Sequence, residues 1–289
     1  MAKRSGGGSG GKVEGKLGAH GIARLPQRSL IGMVHVRALP GTPFAPKGEM
    51  RSWLDAVVKT AVDEARVLVD AGFDAVMIEN MHDRPYVQPP HAPVTVAAMT
   101  LVALAVKEAI GATPLGVQVL SCGEREALSI GLTAGADFIR CENFVYAHVA
   151  DEGLLDRGAA GPLLRYRREI GAESISIVCD IKKKHASHAI TSDITLADAA
   201  HTAEYFGADG VIVTGQFTGE ATDPDDIAEA RGAVRVPVWV GSGVTPEQVP
   251  ELWAHADALI VGSSIKKGGR WSNAIDPKRC RAVVKAGRG

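Results

Sequence analysis

The chain has 289 residues, 46% of them hydrophobic but only 5% aromatic, and a formal net charge of -1. That balance excludes a global field for gathering nucleic acid or an anionic membrane, and the aliphatic bias suits parallel strands buried under helices. Its four cysteines, Cys122, Cys141, Cys179 and Cys280, form no CxxC pair, which argues against a zinc knuckle or disulfide scaffold and for a reducing compartment.

Residues 1–21 are rich in glycine and lysine and have no apolar run, so they read as a flexible tail, neither signal nor anchor, ahead of one domain spanning 22–289. The first strand is expected over Leu30 to Val36, followed by a Pro/Gly loop and a helix from about Ser52 to Ala71, with Val57, Val58, Ala61, Ala65, Leu68 and Val69 at helical spacing. The second strand, Ala75 to Glu79, leads into Asn80 to Pro93, a loop long enough to be a lid or binding loop. Helix Val94 to Ile110 is the most apolar stretch, yet it carries Lys107 and Glu108, so a soluble, cytoplasmic protein without membrane insertion is expected.

Pro114 to Leu120, Phe138 to Cys141 and Ser174 to Asp180 follow as strands three to five, separated by helices Glu124 to Ala134 and Pro162 to Ile170. Helix Ile194 to Phe206 has Thr191, Ser192 and Asp193 as candidate caps, and helix Pro224 to Arg231 has Asp223 before its proline. Between and after them come strands Gly210 to Val213, Val238 to Val240 and Ala258 to Val261, then helix Pro246 to Ala254 and a final helix near Pro277 to Lys285. Eight strand–helix units without hairpin signals predict a single α/β domain, a (β/α)8 TIM barrel.

A fourfold motif supports the count. Gly72-Phe73-Asp74, Gly135-Ala136-Asp137, Gly207-Ala208-Asp209 and Ala256-Asp257 each precede an apolar strand, at aspartate intervals of 63, 72 and 48 residues. Those intervals are about twice the roughly 30 residues of one strand–helix unit, so the motif marks every second strand. Lying where strands begin, the four aspartates read as structural.

Chemistry in such barrels gathers where strands end. There the sequence places His35, Arg37, Glu79, Asn80, Gln118, Arg140, Glu142, Asn143, Asp180, Lys182, Lys184 and Thr214. Ionisable groups from so many strands are costly to bury together unless they pair or meet a charged ligand. His35, Glu79, Glu142, Asp180 and Lys182 are the catalytic candidates, and Arg37, Asn80, Gln118, Arg140, Asn143, Lys184 and Thr214 the substrate-binding ones. Lys182 and Lys184 share strand parity with Asp180 and would project with it if the backbone stayed extended, to neutralise a phosphate or act as base or Schiff-base nucleophile.

Gly241-Ser242-Gly243 and Gly262-Ser263-Ser264 follow the last two strands, where such barrels bind a phosphate through unpaired backbone N–H groups, with Gly215 extending the cradle and Lys266 supplying charge. No cofactor is required; a divalent metal is compatible with His185, His188 and a nearby carboxylate. The expected partner is a small phosphorylated ligand, with no nucleic acid. Barrels of this kind often associate, so a homo-oligomer is a further expectation.

Ile31 to Pro43, Glu79-Asn80, Arg140-Cys141-Glu142-Asn143, Asp180 to His185 and Thr214-Gly215 occur in an order that resembles the BtpA family, over most of the chain from Leu30. The resemblance implies a ribulose-phosphate-binding type of barrel. The family takes its name from a cyanobacterial factor for photosystem I accumulation, yet relatives such as SgcQ occur without photosynthesis and beside carbohydrate genes, so it implies either an isomerase, lyase or hydrolase for a small phosphorylated sugar or nucleotide-like compound, or a non-catalytic assembly factor for a membrane complex. It supplies no catalytic residue set, and the glycine-rich leader matches none of its pattern.

Overall fold

Short aliphatic runs with alternating destinations build the sheet. In the computed structural model, which describes residues 21–215 and 219–289, Leu30 and Val34 of the first strand pack outward against helices, while Ile31 and Met33 pack inward. The strands are β1 (Ser29–His35), β2 (Ala75–Glu79), β3 (Leu115–Gln118), β4 (Phe138–Cys141), β5 (Ser176–Asp180), β6 (Gly210–Val213), β7 (Val238–Val240) and β8 (Ala258–Val261). All neighbours are parallel, and β8 pairs with β1 to close the ring. Helices α1 (Met50–Ala71), α2 (Pro93–Ile110), α3 (Glu124–Ala134), α4 (Ala160–Glu169), α5 (Leu196–Tyr205), α6 (Pro224–Ala233), α7 (Val249–Leu252) and α8 (Pro277–Arg288) lie between and after them. The (β/α)8 barrel expected from the sequence is the fold.

Inside the ring, Ile31, Met33, Ala75, Met77, Phe138, Val178, Ile212, Trp239, Ala258 and Ile260 form a separate apolar plug. Phe138 and Trp239 meet edge to face at 5.2 Å. A 3-10 turn, Gly21–Arg24, covers the end where strands begin: Ile22 joins the plug, its N–H donates to Ser176 Oγ at 3.2 Å, and Arg24 pairs with Asp137. Of the expected tail at residues 1–21, Gly21 begins this turn, and residues 1–20 lie outside the described residues. Sealed at that end, the barrel concentrates its polar inward positions at the other.

The four motif aspartates explain how the ring is registered. Each accepts an N–H from the first or second residue of the preceding strand: Asp74 from Leu30 at 2.8 Å, Asp137 from Leu115 at 3.0 Å, Asp209 from Ile177 at 2.8 Å and Asp257 from Val238 at 2.8 Å. Each carboxylate also meets a cation, namely Arg288, Arg24 with Lys107, Arg167 and Arg231. A buried donor left unpaired is costly, and bonds to charged groups are stronger than neutral ones. Asp209→Ala is therefore expected to lower folding stability by about 1.5–3 kcal/mol. Equilibrium urea unfolding checks this; an unchanged midpoint would refute the structural role.

Three local expectations are corrected. A small antiparallel sheet of His148–Ala150, Gly153–Leu155 and Ala186–Ser187 stands on the rim, although no hairpin was expected there. Strands of two or three residues are too short to show alternation. Helix α5 starts later than expected: Thr195 caps it in a reciprocal capping box with Asp198, and Thr191 instead ends a 3-10 turn. The seventh helix is one turn, Val249–Leu252, rather than Pro246 to Ala254. Elsewhere the expected element bounds hold to within a few residues, including Asp223 as the cap of α6.

Candidate active site

Strand parity decides which side chains reach the open end of the barrel. His35, Glu79, Gln118, Arg140 and Asp180 are the last inward positions of β1 to β5, and all five line one cavity of about 450 Å³. Gly241 and Gly262 line it just beyond β7 and β8. Those glycines keep the space open: a Cβ on Gly241 would lie 3.3 Å from Arg140 Nη2, and one on Gly262 would lie 3.4 Å from His35 Nε2. One wall of the cavity is thus charged and the other is mostly backbone.

Most of the charges are already paired. Arg140 donates twice to Asp180, at 3.0 and 2.9 Å, with both side chains at most 5% exposed. Burial works against the guanidinium charge, but Asp180 outweighs it, so Arg140 stays protonated and Asp180 serves as its counterion. Lys183 Nζ donates to Glu142 at 3.0 Å, and the other Glu142 oxygen accepts the Cys122 N–H at 2.7 Å. Burial pushes the Glu142 carboxyl up, yet Lys183 and that N–H hold it below its ordinary value.

Glu79 and Lys184 are left over: among the described residues neither side chain has a hydrogen bond or ion pair. Burial raises the Glu79 carboxyl against the opposing charges of Arg140 and Lys184. Burial, aided by Arg140, lowers the Lys184 ammonium to about 8, with Glu79, Asp180 and Glu142 opposing. One wall therefore holds an acid and a base displaced toward each other's range, the arrangement that proton transfer requires. His35 Nδ1 lies 2.9 Å from the Trp271 carbonyl oxygen, which can only accept, so Nδ1 carries the hydrogen and Nε2 presents a lone pair. Burial, with Lys266 adding to it, pushes that imidazole well below its ordinary value and keeps it neutral.

Opposite stand the two glycine-serine loops. Ser242, Gly243, Ser263 and Ser264 all line the cavity. Gly243 has φ +68, and a Cβ there would fall 2.1 Å from the Glu220 carbonyl oxygen, so only glycine closes this turn. Two serine hydroxyls are already engaged: Ser242 Oγ accepts the Gly215 N–H at 2.7 Å, and Ser264 Oγ donates to Val244 O at 2.5 Å. Gly215 thus braces the cradle from behind. Lys266 is a correction: its ammonium is buried against Glu64 at 2.8 Å, tying this loop to α1. The cation at this end is Arg279 of α8, whose Nε donates to Ser264 O at 2.6 Å.

Five other expected site residues lie apart from the cavity lining. Arg37 is exposed beyond β1. Asn80 clamps the β3–α3 loop, accepting the Leu120 N–H at 2.7 Å and donating to Asp83 at 3.0 Å. Asn143 donates to Arg157 O at 2.8 Å. Lys182 takes a left-handed φ of 45, which breaks the strand parity and sends it to a small outer pocket with Tyr146 and His148, while Lys184 enters the cavity. Thr214 accepts the Lys184 backbone N–H at 3.1 Å and so fixes that lysine's main chain.

His185 and His188 do not converge: His185 faces Asp151 at 3.7 Å, and His188 Nε2 lies 3.0 Å from Lys183 O. No group of three metal-ligand side chains occurs among the described residues. Cys141 and Cys179 are buried in the outer core, with burial raising both thiols. Sequence reasoning missed the roof, where Trp271 packs with Arg84 and His82, each 4.9 Å away. It also missed Asp151 and Glu152, carried to the mouth by the rim sheet.

Comparison with solved structures shows the same fold. 3-Hexulose-6-phosphate synthase aligns with a TM-score of 0.54 at 18% identity, covering 89% of this chain and 99% of that one. Thiamine phosphate pyrophosphorylase from Pyrococcus furiosus aligns at 0.53 and 12%, covering 92% and 98%. By sequence, an uncharacterized mitochondrial protein of Caenorhabditis elegans is 44% identical over 89% of this chain and 91% of its own. The photosystem I biogenesis protein BtpA of Synechocystis is 35% identical over 89% and 87%. The BtpA family model matches residues 26–288, nearly the whole described barrel, and with these relatives it shows that the chain belongs to the BtpA family.

Proposed function

We propose that the protein is an enzyme acting on a small phosphorylated sugar or nucleotide-like compound by proton-transfer chemistry at the open end of the barrel. The observation that carries this is the unpaired Glu79 and Lys184 facing the glycine-serine cradle and Arg279 across one cavity. A phosphate held by the cradle amides and Arg279 would hold the carbon skeleton against Glu79, Lys184 and neutral His35. The names of the structural neighbours, a hexulose-phosphate synthase and a thiamine phosphate pyrophosphorylase, support a phosphorylated ligand for this type of barrel.

Thermal shift tests the proposal. A matching sugar phosphate at one hundred times its dissociation constant is expected to stabilise the protein by about 2.7 kcal/mol, and its unphosphorylated counterpart not at all. Arg279→Ala should weaken that shift. If no phosphorylated compound shifts the melting temperature, the proposal fails.

A docking reading is favoured by one feature. Val94, Leu101 and Leu104 of α2 and Leu132 of α3 are exposed at 42–44%, an apolar surface suited to a partner such as the membrane complex in the Synechocystis relative's name. Glu79→Gln would leave that surface intact, so a cellular phenotype unaffected by Glu79→Gln supports docking over catalysis.

A further inference from the structure

We infer that Lys184 is a covalent nucleophile, forming an imine with a carbonyl carbon of the phosphorylated ligand. The inference rests on the enzyme reading and specifies its chemistry. Its geometric basis is the pairing pattern around the cavity. Arg140 is committed to Asp180, Lys183 to Glu142 and Lys266 to Glu64. Arg279 is held by Ser264 O, and Arg84 is stacked on Phe44 and Trp271. Of the two amines that line the cavity, Lys183 and Lys184, Lys184 is the one without a hydrogen-bond or ion-pair partner among the described residues, and its backbone is pinned by Thr214.

An amine must be neutral to attack a carbonyl, and the hydroxyl it creates must leave as water. Both requirements are met by groups on the same wall. The amine faces Arg140 from β4, Glu79 from β2, Asp180 from β5 and Glu142 beyond β4, and the balance puts its midpoint at about 8. The Lys184 nitrogen adds to the carbonyl carbon, and the carbonyl π electrons move to oxygen, which is protonated as nitrogen loses a proton. Glu79 in its acid form, which burial favours, then gives its proton to the departing hydroxyl, and the carbon–nitrogen double bond forms as water leaves. The resulting iminium accepts the electron pair released when a neighbouring C–C or C–H bond breaks, which makes this a lyase or isomerase of ketose or aldose phosphates rather than a hydrolase.

The test is reduction of the imine by sodium borohydride in the presence of dihydroxyacetone phosphate, ribulose 5-phosphate or pyridoxal 5′-phosphate, read by intact mass and peptide mapping. Expected is one adduct, at Lys184, with the mass of the probe less one oxygen. Lys184→Met and Lys184→Arg should reduce trapping at least tenfold, while the arginine variant keeps its thermal shift with inorganic phosphate. The trapping rate should rise from pH 7 to 9. A probe that stabilises the protein yet gives no adduct, or gives the same adduct in both variants, overturns the imine and leaves the phosphate site standing. Absence of both shift and adduct with every probe overturns the enzyme reading and the imine together.

Discussion

Replacing Asp180 by alanine is expected to cost about 3–5 kcal/mol of folding stability, because the buried Arg140 would remain charged without its bidentate partner. Arg140→Ala should cost a similar amount by stranding the carboxylate. The double variant Arg140→Met with Asp180→Leu should recover most of the loss, since a buried pair replaced by packed apolar groups is often neutral. Urea unfolding of the three variants decides the matter. If Asp180→Ala keeps the wild-type midpoint, the pair does not hold the barrel mouth together. Loss of function in that variant would then need a chemical explanation, whereas here it follows from misplacement of Arg140.

Glu79→Gln is expected to lower turnover by about 10²–10⁴-fold, the usual worth of a positioned proton carrier, with the fold intact. The sign of its stability effect is distinctive. The folded state holds the Glu79 proton more tightly than the unfolded chain, so ionisation counts against folding as pH rises through the unfolded and then the folded midpoint. Glutamine removes that cost. The variant should be more stable than the parent at pH 8, with the difference vanishing toward pH 4, as thermal melts across pH would show. An equally active variant would remove Glu79 from the chemistry.

The barrel was legible because two periodicities coincide. Aliphatic runs sit at strand length, and the aspartate hinge recurs at every second strand, where one carboxylate fulfils a fixed geometric need in each copy. Parity then carried His35, Glu79, Gln118, Arg140 and Asp180 into the cavity, since an inward residue low in a strand fixes the one at its end. It failed once the strand ended: the left-handed Lys182 turned its own side chain out of the cavity and left Lys184 to project there with Asp180. Lys266 misled because its counterion, Glu64, lies 202 residues earlier. Trp271 and Arg279 gave no signal, because the path of the chain after β8, rather than any motif, brings them over the cavity.

The carboxylate clasps tie β1 to β2, β3 to β4, β5 to β6 and β7 to β8; the junctions between those couples lack such a clasp among the described residues, and β4 meets β5 through ladder bonds and the Arg140–Asp180 pair. Mechanically the ring behaves as four stapled tiles, and its breathing modes belong to the grout lines between them. New chain ends opened by circular permutation in the connections at 111–114 or 170–175 would fall on such lines and keep every staple within one continuous tile.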